Sequence, residues 1–381
     1  MHVLTLTPFY PTVEDDASGC FIAEFVGELQ HQGIESSVIA VQPMHHSHPG
    51  PDPKAPPATW KKYFCLPGNP GLSSAGQFLH ATLKFHVRQL HARHPISVIH
   101  AHAALPCGQA AMLLAKDLSI PFVVTVHGLD AFSTRQVPGW FGRRCSAVSD
   151  HVYAAAARVI CISEHVARRV RERIGDRARI SVVYNGVDSS LFTPPTGSAV
   201  ANEVILSVGN LIPIKGHDLL LRSVAAIAPG HPHMQCRMIG DGPERARLQQ
   251  LARELRIEDR VHFLGRRPRS EVAAAMRDCT LFALPSWYEG LGCVYLEAMS
   301  AERPAIACRG QGIEEVIRHG ENGWLVQPKN LDDLTAALRT LLSDQPLRKK
   351  LGGNGRRTVL QGYTLTHQAT QLSAIYRECL R

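Results

Sequence analysis

The chain contains 381 residues with a formal net charge of +8, and 45% of the residues are hydrophobic while 19% are charged. A single hydrophobic core stops growing at about 250–300 residues, so this length predicts two domains. The composition excludes a largely disordered protein, because enough apolar surface is available to offset the entropy of ordering. No apolar run reaches the roughly 18 residues that a membrane-spanning helix needs.

The first residues and the cysteines both indicate a cytoplasmic protein. The segment MHVLTLTPFYP lacks a basic region and reaches Pro8 early, so it predicts a β-strand rather than a secretory signal. The ten cysteines are scattered and include no Cys-x-x-Cys pair. That distribution is typical of reduced thiols and argues against a disulfide framework or a zinc site.

The positive charge is concentrated between Arg135 and Arg179, where ten arginines stand against four acids. Such a balance permits nucleic acid, an anionic membrane surface or a phosphorylated substrate as partner. In HVARRVRERI the arginines recur at helical spacing, which is typical of a solvated helix face. The alternative is a basic surface that meets anionic lipid or a diphosphate. Nucleic acid is not expected, because no aromatic interleaving or binding motif accompanies the arginines.

The first half of the chain alternates short apolar runs with longer amphipathic stretches. Six runs rich in β-branched residues predict strands: VLTLT, SSVIAV, ISVIHAH, PFVVTV, ARVICIS and ISVVYN. The stretch CFIAEFVGELQHQG predicts a helix that is capped by Gly33. The proline-rich segment from Gln42 to Gly76 predicts a long loop with little regular structure, suited to acceptor selection. Within it, His45, His46 and His48 lack a nearby carboxylate pattern and are interpreted as solvated rather than metal-binding.

A second series of strands and helices follows a loop-like break near Thr193–Ser198. Six further runs predict strands: EVILSVGN, HMQCRMIG, RVHFLG, CTLFALPS, RPAIACRG and GWLVQP. Strands that alternate with helices predict parallel sheets covered on both faces, and two such series predict two doubly wound, Rossmann-like α/β domains in tandem. Because ligands bind beyond the carboxyl ends of parallel strands, we expect a cleft where the strand ends of the two domains face each other.

The most informative stretch is LPSWYEGLGCVYLEAMS, residues 284–300. It predicts a strand that ends at Pro285 and a helix that opens at Glu289-Gly290-Leu291-Gly292 and contains Glu297. Glycines at a helix N-terminus let backbone N–H groups approach a phosphate, and the helix dipole favours its negative charge. Spacing alone leaves a second interpretation open, a glycine-rich turn with two solvated glutamates.

Several further short motifs follow one another along nearly the whole chain. They are Gly19 in the first strand-to-helix loop, His127-Gly128-x-Asp130, Asn185-Gly186-Val187-Asp188 with Phe192 and Pro194, Ser207-Val208-Gly209, Lys215-Gly216, Gly240-Asp241-Gly242-Pro243, Leu264-Gly265 and His319-Gly320-x-Asn322-Gly323. Together with Glu289-x7-Glu297 they resemble the signature of the retaining GT-B glycosyltransferases, which include glycogen and sucrose synthases and bacterial mannosyltransferases. Within that group the chain resembles the teichuronic-acid-type polysaccharide glycosyltransferases.

The resemblance implies a role for each matching residue. Lys215 would neutralise the leaving diphosphate, Glu289 would hold the donor sugar hydroxyls, and His127 would contact the reacting sugar through its ring or its carbonyl. These three are the predicted catalytic residues. The remaining predicted contacts belong to donor binding, with Glu297 on the ribose, Arg266 near the nucleobase, and backbone or adjacent groups at Gly19, Gly290, Leu291, Gly292 and Cys293.

One position departs from the family pattern. Asn210 stands where the family usually has an arginine that shares the diphosphate, and a neutral amide provides no bidentate clamp. Asn210 is still counted as donor-binding, because an amide donates one hydrogen bond, and Arg309 is a candidate replacement for the missing charge. No metal or cofactor is expected beyond the nucleotide-sugar itself, because Lys215 provides the charge compensation and no Asp-x-Asp follows a strand.

The resemblance also implies the division of labour along the chain. Residues 1–190, together with a returning C-terminal helix at 364–381, would bind the acceptor, and residues 191–363 would bind the donor. In that helix one face is formed by Leu365, Ala369, Leu372, Ile375, Tyr376 and Cys379.

We therefore expect a retaining enzyme that moves a hexose from a UDP- or GDP-sugar to a hydroxyl of a glycan, a lipid-linked compound or a small molecule. No carboxylate near His127 suits a covalent intermediate, which favours departure and attack on the same face of the sugar. The expected location is the cytoplasm, with peripheral contact at the inner face of the membrane permitted.

Three alternatives remain open at this point. One is another GT-B activity, a nucleotide-sugar hydrolase or epimerase, and a second is a catalytically silent sugar-nucleotide binder, for which Asn210 is the hint. A dinucleotide-dependent oxidoreductase is disfavoured, because TPFYPTVEDDASG follows the first strand instead of Gly-x-Gly-x-x-Gly.

Overall fold

The computed structural model of the protein describes residues 1–45, 50–65, 71–128, 139–195 and 203–381. Its contacts divide the chain into two compact units. The first unit comprises Met1–Asn185 with Leu365–Arg381, and the second comprises Gly186–Thr364. Several residues named above lie outside the described ranges: His46, His48, Asp130, Arg135 and positions 196–198 of the inter-domain loop.

The first unit contains a parallel sheet of seven strands in the order β3-β2-β1-β4-β5-β6-β7. The strands are β1 His2–Thr7, β2 Glu35–Pro43, β3 Ala58–Tyr63, β4 Val98–His102, β5 Phe122–Val126, β6 Arg158–Cys161 and β7 Ile180–Val182. The central strands β1, β4 and β5 are buried along their whole length. Continuous apolar strands of this kind need cover on both faces of the sheet, as the sequence predicts.

Helices cover this sheet. They are α1 Cys20–His31, α2 Leu72–Arg93, α3 Gln109–Leu118, α4 Gly139–Ala155, α5 Glu164–Ile174 and the C-terminal helix, which is α12 at Leu365–Cys379. The C-terminal helix packs on α1, and Ala369, Leu372 and Tyr376 share one core with Ile22 and Phe25. Burial of that apolar face ties the last residues of the chain to its first helix.

The segment from Gln42 to Gly76 is more regular than predicted, so the expectation of a long loop is wrong there. It contains the end of β2, all of β3 and the beginning of α2. The strand β3 lies at the edge of the sheet, is mostly half-buried and carries Lys61 and Lys62. A half-exposed edge strand needs no apolar run, because backbone pairing with β2 holds it and its lysines discourage further pairing.

The second unit contains a parallel sheet of six strands in the order β10-β9-β8-β11-β12-β13. The strands are β8 Val204–Val208, β9 Gln235–Ile239, β10 Val261–Gly265, β11 Leu281–Ala283, β12 Ala305–Cys308 and β13 Trp324–Val326. The helices are α6 His217–Ile227, α7 Arg245–Glu254, α8 Arg269–Asp278, α9 Cys293–Ser300, α10 Leu331–Ser343 and α11 Gln345–Gly362. Each of the six strands lies in a run that the sequence predicts.

These two sheets confirm the predicted fold class of two parallel-sheet, Rossmann-like α/β domains. None of the ten cysteines, all of which lie in described segments, forms a disulfide. Among the helices described, none is long and apolar enough to cross a membrane.

Candidate active site

The loops after β8 and β11 of the second unit pack tightly against each other. Gly216, which begins α6, has φ +70°, and a Cβ there would lie 2.3 Å from the carbonyl oxygen of Pro285. Trp287 donates its backbone N–H to the carbonyl of Ile214 at 3.0 Å. Because glycine removes the steric block, two loops that are distant in sequence meet at the carboxyl edge of the sheet.

This packing brings together two of the predicted catalytic residues. Lys215 Nζ lies 2.5 Å from Glu289 Oε2, and the two side chains are only 17% and 15% exposed. The backbone of Glu289 is also held, because its N–H donates to Gln311 Oε1 at 3.0 Å and its carbonyl accepts from Gly312. A half-buried ammonium and a carboxylate therefore compensate each other at the point where the sequence predicts donor chemistry.

The glycine-rich turn after Glu289 begins helix α9 as predicted. Gly292 has φ +87°, and a Cβ there would lie 2.6 Å from the ring of Tyr295. Gly290 and Leu291 are buried, and Cys293 is the first residue of the helix. The Tyr295 hydroxyl donates to the carbonyl of Leu284 at 2.7 Å. The N-terminus of α9, which carries the positive end of the helix dipole, thus lies next to Glu289.

Glu297 forms a second ion pair that the sequence does not predict. Arg269 Nη1 lies 2.5 Å from Glu297 Oε1, with side chains that are 14% and 7% exposed. The Arg269 guanidinium also lies 4.9 Å from the centre of the Phe192 ring. The sequence offers one signal for this pair, because a buried glutamate needs a cation. The segment GRRPRSE contains several arginines, and the sequence does not indicate which of them pairs with Glu297.

Two further residues predicted to bind the donor have exposed side chains. Arg266 follows β10, and Asn210 follows β8 with its carbonyl accepting from Ile212 at 2.9 Å. Arg309, the candidate replacement for the missing arginine, pairs with Glu314 at 3.3 Å. The structure therefore shows Arg309 paired with a carboxylate and does not place it in contact with Asn210.

Several of the other matching motifs have structural roles. A Cβ at Gly240 would lie 2.0 Å from the carbonyl oxygen of Gly209, so this glycine permits the close approach of two strand ends. Asp188 accepts from the backbone of Ser190 and Leu191 and closes the turn that follows the first unit. Asn322 donates to the carbonyl of Val316 at 3.0 Å.

In the first unit, Gly19 shapes the N-terminus of α1. It has φ +71°, and a Cβ there would lie 2.4 Å from the carbonyl carbon of Phe9. Phe21, two residues later, packs its ring 5.1 Å from the imidazole of His127. The first turn of α1 and the residue after β5 thus meet, and both predicted first-unit residues lie in this one region.

His127 belongs to a group of three stacked histidines, of which the sequence analysis singled out one. Its Nε2 lies 2.9 Å from Nδ1 of His102, and the rings stack at 5.2 Å. The ring of His102 lies 4.4 Å from that of His100. Further in, His100 contacts the Tyr376 hydroxyl at 2.6 Å and the Thr125 hydroxyl at 2.7 Å. We call His100, His102 and His127 the histidine column.

Burial keeps the histidine column neutral. It lowers the pKa of His100 to about 3 and that of His127 to about 4, and it lowers the pKa of His102 well below the usual value. A neutral imidazole has one donor and one acceptor nitrogen, so the tautomer of His127 depends on that of His102. His102 lines a cavity of about 10 Å³, and its Nε2 has no hydrogen-bond partner among the described residues.

The comparisons with known proteins cover both units. Residues 20–191 match the model of Glycosyltransferase Family 4, and residues 192–358 match that of Glycosyl transferases group 1. An uncharacterised glycosyltransferase of Methanocaldococcus jannaschii is 32% identical over 68% of this chain and 70% of its own. A D-inositol 3-phosphate glycosyltransferase of Corynebacterium glutamicum is 30% identical over 74% of this chain and 72% of its own.

Solved structures show the same fold. Sucrose-phosphate synthase of Thermosynechococcus elongatus superposes with a TM-score of 0.79 at 20% identity and covers 99% of both chains. The Anabaena protein HepE, solved with UDP-glucose, superposes with a TM-score of 0.76 at 21% identity over 99% of this chain and all of its own. With both halves of the chain matched in order, the protein is a GT-B glycosyltransferase and belongs to the group 1 glycosyltransferase family.

Proposed function

We propose that the protein is a retaining glycosyltransferase that transfers a hexose from a UDP- or GDP-sugar to an acceptor hydroxyl. The observation that carries the proposal is the Lys215–Glu289 ion pair beside the N-terminus of α9. A nucleoside diphosphate gains negative charge as its bond to the sugar breaks. A preorganised ammonium next to a helix N-terminus stabilises that charge and lowers the barrier.

Lys215 and Glu289 are proposed to separate when the donor binds, so that each contacts the donor instead. In the free protein Glu289 pairs with Lys215 and holds its side chain in place. When a diphosphate reaches Lys215 Nζ, the carboxylate of Glu289 is released to accept hydrogen bonds from sugar hydroxyls. Because the lysine provides the positive charge that a divalent cation would otherwise supply, we propose transfer without a metal or other cofactor.

The second ion pair supports binding of the nucleoside. A carboxylate has about four acceptor sites, so Glu297 can bind Arg269 and still accept from both hydroxyls of a ribose. Arg269 then acts as a positioning residue that orients the carboxylate. The backbone N–H groups from Gly290 to Cys293 are proposed to bind the phosphates, and the chain at Arg266 to border the nucleobase.

His127 is proposed to contact the transferred sugar through its ring or its main-chain carbonyl. Since Nε2 is directed at His102, any ring contact with the sugar uses the other edge of the imidazole. The histidine column fixes that ring and keeps it uncharged. We propose that the leaving phosphate and the incoming hydroxyl share one face of the sugar, because the same-face route needs no protein nucleophile.

The relatives support a nucleotide-sugar donor and a hydroxyl acceptor. HepE has been solved with UDP and with UDP-glucose, which favours a UDP-sugar as the first donor to test. The Corynebacterium relative is named for D-inositol 3-phosphate, and a Bacillus anthracis relative, 28% identical over 76% of this chain, is named N-acetyl-alpha-D-glucosaminyl L-malate synthase. A role in polysaccharide or glycoconjugate synthesis is therefore one of two proposals for the acceptor, the other being a small hydroxyl compound.

The donor is tested by measuring the melting temperature with UDP, GDP, ADP and their sugars. We expect one nucleotide to raise the melting temperature, and the matching sugar to be transferred when an acceptor is added. An α-linked donor should yield an α-linked product by NMR, and a β-linked product would refute retention. Stabilisation by no nucleotide would refute the donor site. Sugar release without an acceptor indicates a hydrolase, and stabilisation without turnover indicates a silent binder.

A further inference from the structure

In the part of the chain that the structure describes, the exposed aromatic side chains lie in the first unit. Among the described residues they are Phe9, Phe64, Phe78, Phe85, Trp140 and Phe141, with exposures from 41% to 70%. In the second unit the exposed large hydrophobic side chains of the described residues are Leu331 and Leu360. Scattered leucines are ordinary on a protein surface, whereas a group of exposed aromatics indicates a contact surface.

Five of these aromatics lie on helix α2, just after β3 or at the start of α4. Phe78 and Phe85 stand two helical turns apart on its exposed face, and the ring of Phe64, just after β3, lies 5.1 Å from that of Phe78. Trp140 and Phe141 open α4, and their rings lie 5.1 Å apart. Helix α2 packs on both β3 and α4, and Cys145 of α4 hydrogen-bonds to the backbone near the start of α2. These five rings thus lie on α2 and at the ends of two elements that pack against it, and these three elements are called one assembly below.

The same assembly is basic. Helix α2 contains Lys84, Arg88 and Arg93 but no aspartate or glutamate along its 22 residues. Arg143 and Arg144 follow the aromatic pair of α4, and the Arg144 guanidinium lies 5.5 Å from the Trp140 ring. The neighbouring helix α3 supplies a carboxylate, Asp117, which contacts His80 and Arg88. The exposed face of α2 with the start of α4 is here named the aromatic–basic face.

The arginine-rich stretch also includes α5, whose arginines have a different character from those at the start of α4. In α5, Arg171 pairs with Glu164 at 2.8 Å and Arg169 with Glu172 at 3.4 Å. Arg173 pairs with Asp150 at 2.5 Å. These pairs are those of a solvated helix face, and exposed aromatic rings lie on α2 and α4 instead.

We propose that the aromatic–basic face binds the surface of an anionic phospholipid bilayer. Phenylalanine and tryptophan gain free energy when they enter the interfacial region of a bilayer, and lysine and arginine are attracted to anionic headgroups. A polyanion such as a nucleic acid would satisfy the charges but leave Phe85, which is 70% exposed, in water. A second copy of the chain would bring the basic side chains of two identical faces together, which is repulsive.

Co-sedimentation with vesicles tests the proposal without relying on glycosyl transfer. The purified chain is mixed with phosphatidylcholine vesicles, with or without about one quarter phosphatidylglycerol. We expect binding to the anionic vesicles that weakens at high salt, and much weaker binding to phosphatidylcholine alone. Binding to neither kind of vesicle, or equal binding to both with no effect of salt, would overturn the proposal.

Matched variants locate the contact. Phe85→Ser should weaken vesicle binding about ten-fold, as expected for a ring that no longer enters the bilayer. The pair Lys84→Gln and Arg143→Gln should weaken it by a similar factor and reduce the salt dependence. Their controls at exposed positions of the second unit, Leu360→Ser and the pair Lys349→Gln and Lys350→Gln, should have no effect. Equal losses in the controls would refute this face as the contact.

Fluorescence and mass measurements separate lipid from protein partners. Brominated lipid should quench the fluorescence of Trp140, and Trp140→Phe should lose that quenching while it still binds vesicles. Unchanged quenching in Trp140→Phe would overturn the proposed orientation. Self-association in lipid-free solution that Phe85→Ser abolishes would overturn the lipid proposal in favour of a second copy of the chain.

Discussion

Two groups of buried polar side chains, one in each unit, have opposite electrical forms. In the second unit the Lys215–Glu289 and Arg269–Glu297 pairs are ionic, and in the first unit the histidine column is neutral. Removal of one member of a buried ion pair leaves an uncompensated charge, whereas removal of a neutral partner leaves an unmade hydrogen bond. We therefore expect the two ion pairs to respond to a charged ligand, and the histidine column to hold the ring of His127 in a fixed, uncharged form.

The largest effect is expected at Lys215, which is proposed to stabilise the leaving diphosphate. Lys215→Ala should lower kcat by about 10²–10³-fold, because the charge that develops on the diphosphate loses its cation. Initial rates at saturating donor measure this, with the exposed Lys349→Ala as control. The double variant Lys215→Ala with Glu289→Gln should lose much less than the product of the single losses, since the two side chains act as a pair. Turnover like that of the wild type in Lys215→Ala would refute the leaving-group role.

The neutral histidine column of the first unit should affect how the free energy of unfolding depends on pH. Unfolded histidines titrate near pH 6.5, whereas burial lowers the pKa of His100 to about 3 and of His127 to about 4. Between pH 6.5 and 4 the unfolded chain therefore binds protons that the folded chain does not, so the free energy of unfolding falls as the pH falls. Each histidine that stays neutral contributes about 1.4 kcal/mol per pH unit.

Denaturant titrations at several pH values measure this slope. His102→Phe, which keeps the stacked ring, should make it shallower. In the second unit, burial also lowers the pKa of His217 to about 4, and His217→Phe should remove a single contribution of the same kind. An unchanged slope in His102→Phe would show that this member of the column is protonated in the folded protein.

A substitution of Arg269 tests whether the Arg269–Glu297 ion pair contributes to donor binding. Arg269→Gln should raise the donor KM about ten-fold with a smaller change in kcat, because Glu297 loses the cation that orients it. Arg267→Gln, a neighbouring exposed residue that pairs with Glu271, is the matched control. Equal changes of KM in the two variants would contradict a role specific to Arg269.

A substitution of His102 tests whether this residue positions His127. A smaller effect is expected here. His102→Phe should lower kcat/KM roughly five-fold, since one neutral hydrogen bond to His127 is lost while the stack remains. His102→Asn places an amide near the former Nδ1 and should restore part of the rate. No rescue by asparagine would indicate that ring packing, rather than the hydrogen bond, positions His127.

The smallest effect concerns the departure from the family pattern. Asn210 is exposed, and an arginine there would add one partly solvated charge to the donor side. Asn210→Arg should lower the donor KM by about two- to three-fold, in line with the modest energy of exposed charge pairs. Isothermal titration with the donor nucleotide measures the same change as affinity. No gain would mean that other groups already balance the diphosphate.

The apolar runs in the sequence predicted every strand of the two sheets except β3. β1 and β5 lie between two layers of helices, so β-branched runs mark them in the sequence. β3 lies at an edge with one half-buried face, and its sequence ATWKKY carries no such run. Edge strands are held by backbone pairing, which depends on the neighbouring strand rather than on their own side chains.

The candidate site shows the same limit. Lys215 and Glu289 are each recognisable beside their glycines, yet their ion pair depends on the approach of Gly216 to Pro285. In the same way, the sequence marks His127 after its strand but does not mark His102 as its partner. Contacts between side chains that are distant in sequence depend on which loops meet. The local spacing of residues does not indicate which loops these are.

The fold class, the order along the chain of every strand except β3, and the residue types at the ends of those strands follow from the sequence alone. Hydrophobic periodicity and glycine placement are local properties, and local physics is sufficient to interpret them. Only the tertiary structure decided that the carboxylates Glu289 and Glu297 pair with Lys215 and Arg269, that His127 stacks on neutral histidines, and that the exposed aromatics gather around α2. These features depend on the packing of separate elements, where burial selects the charge state and the partner of each group.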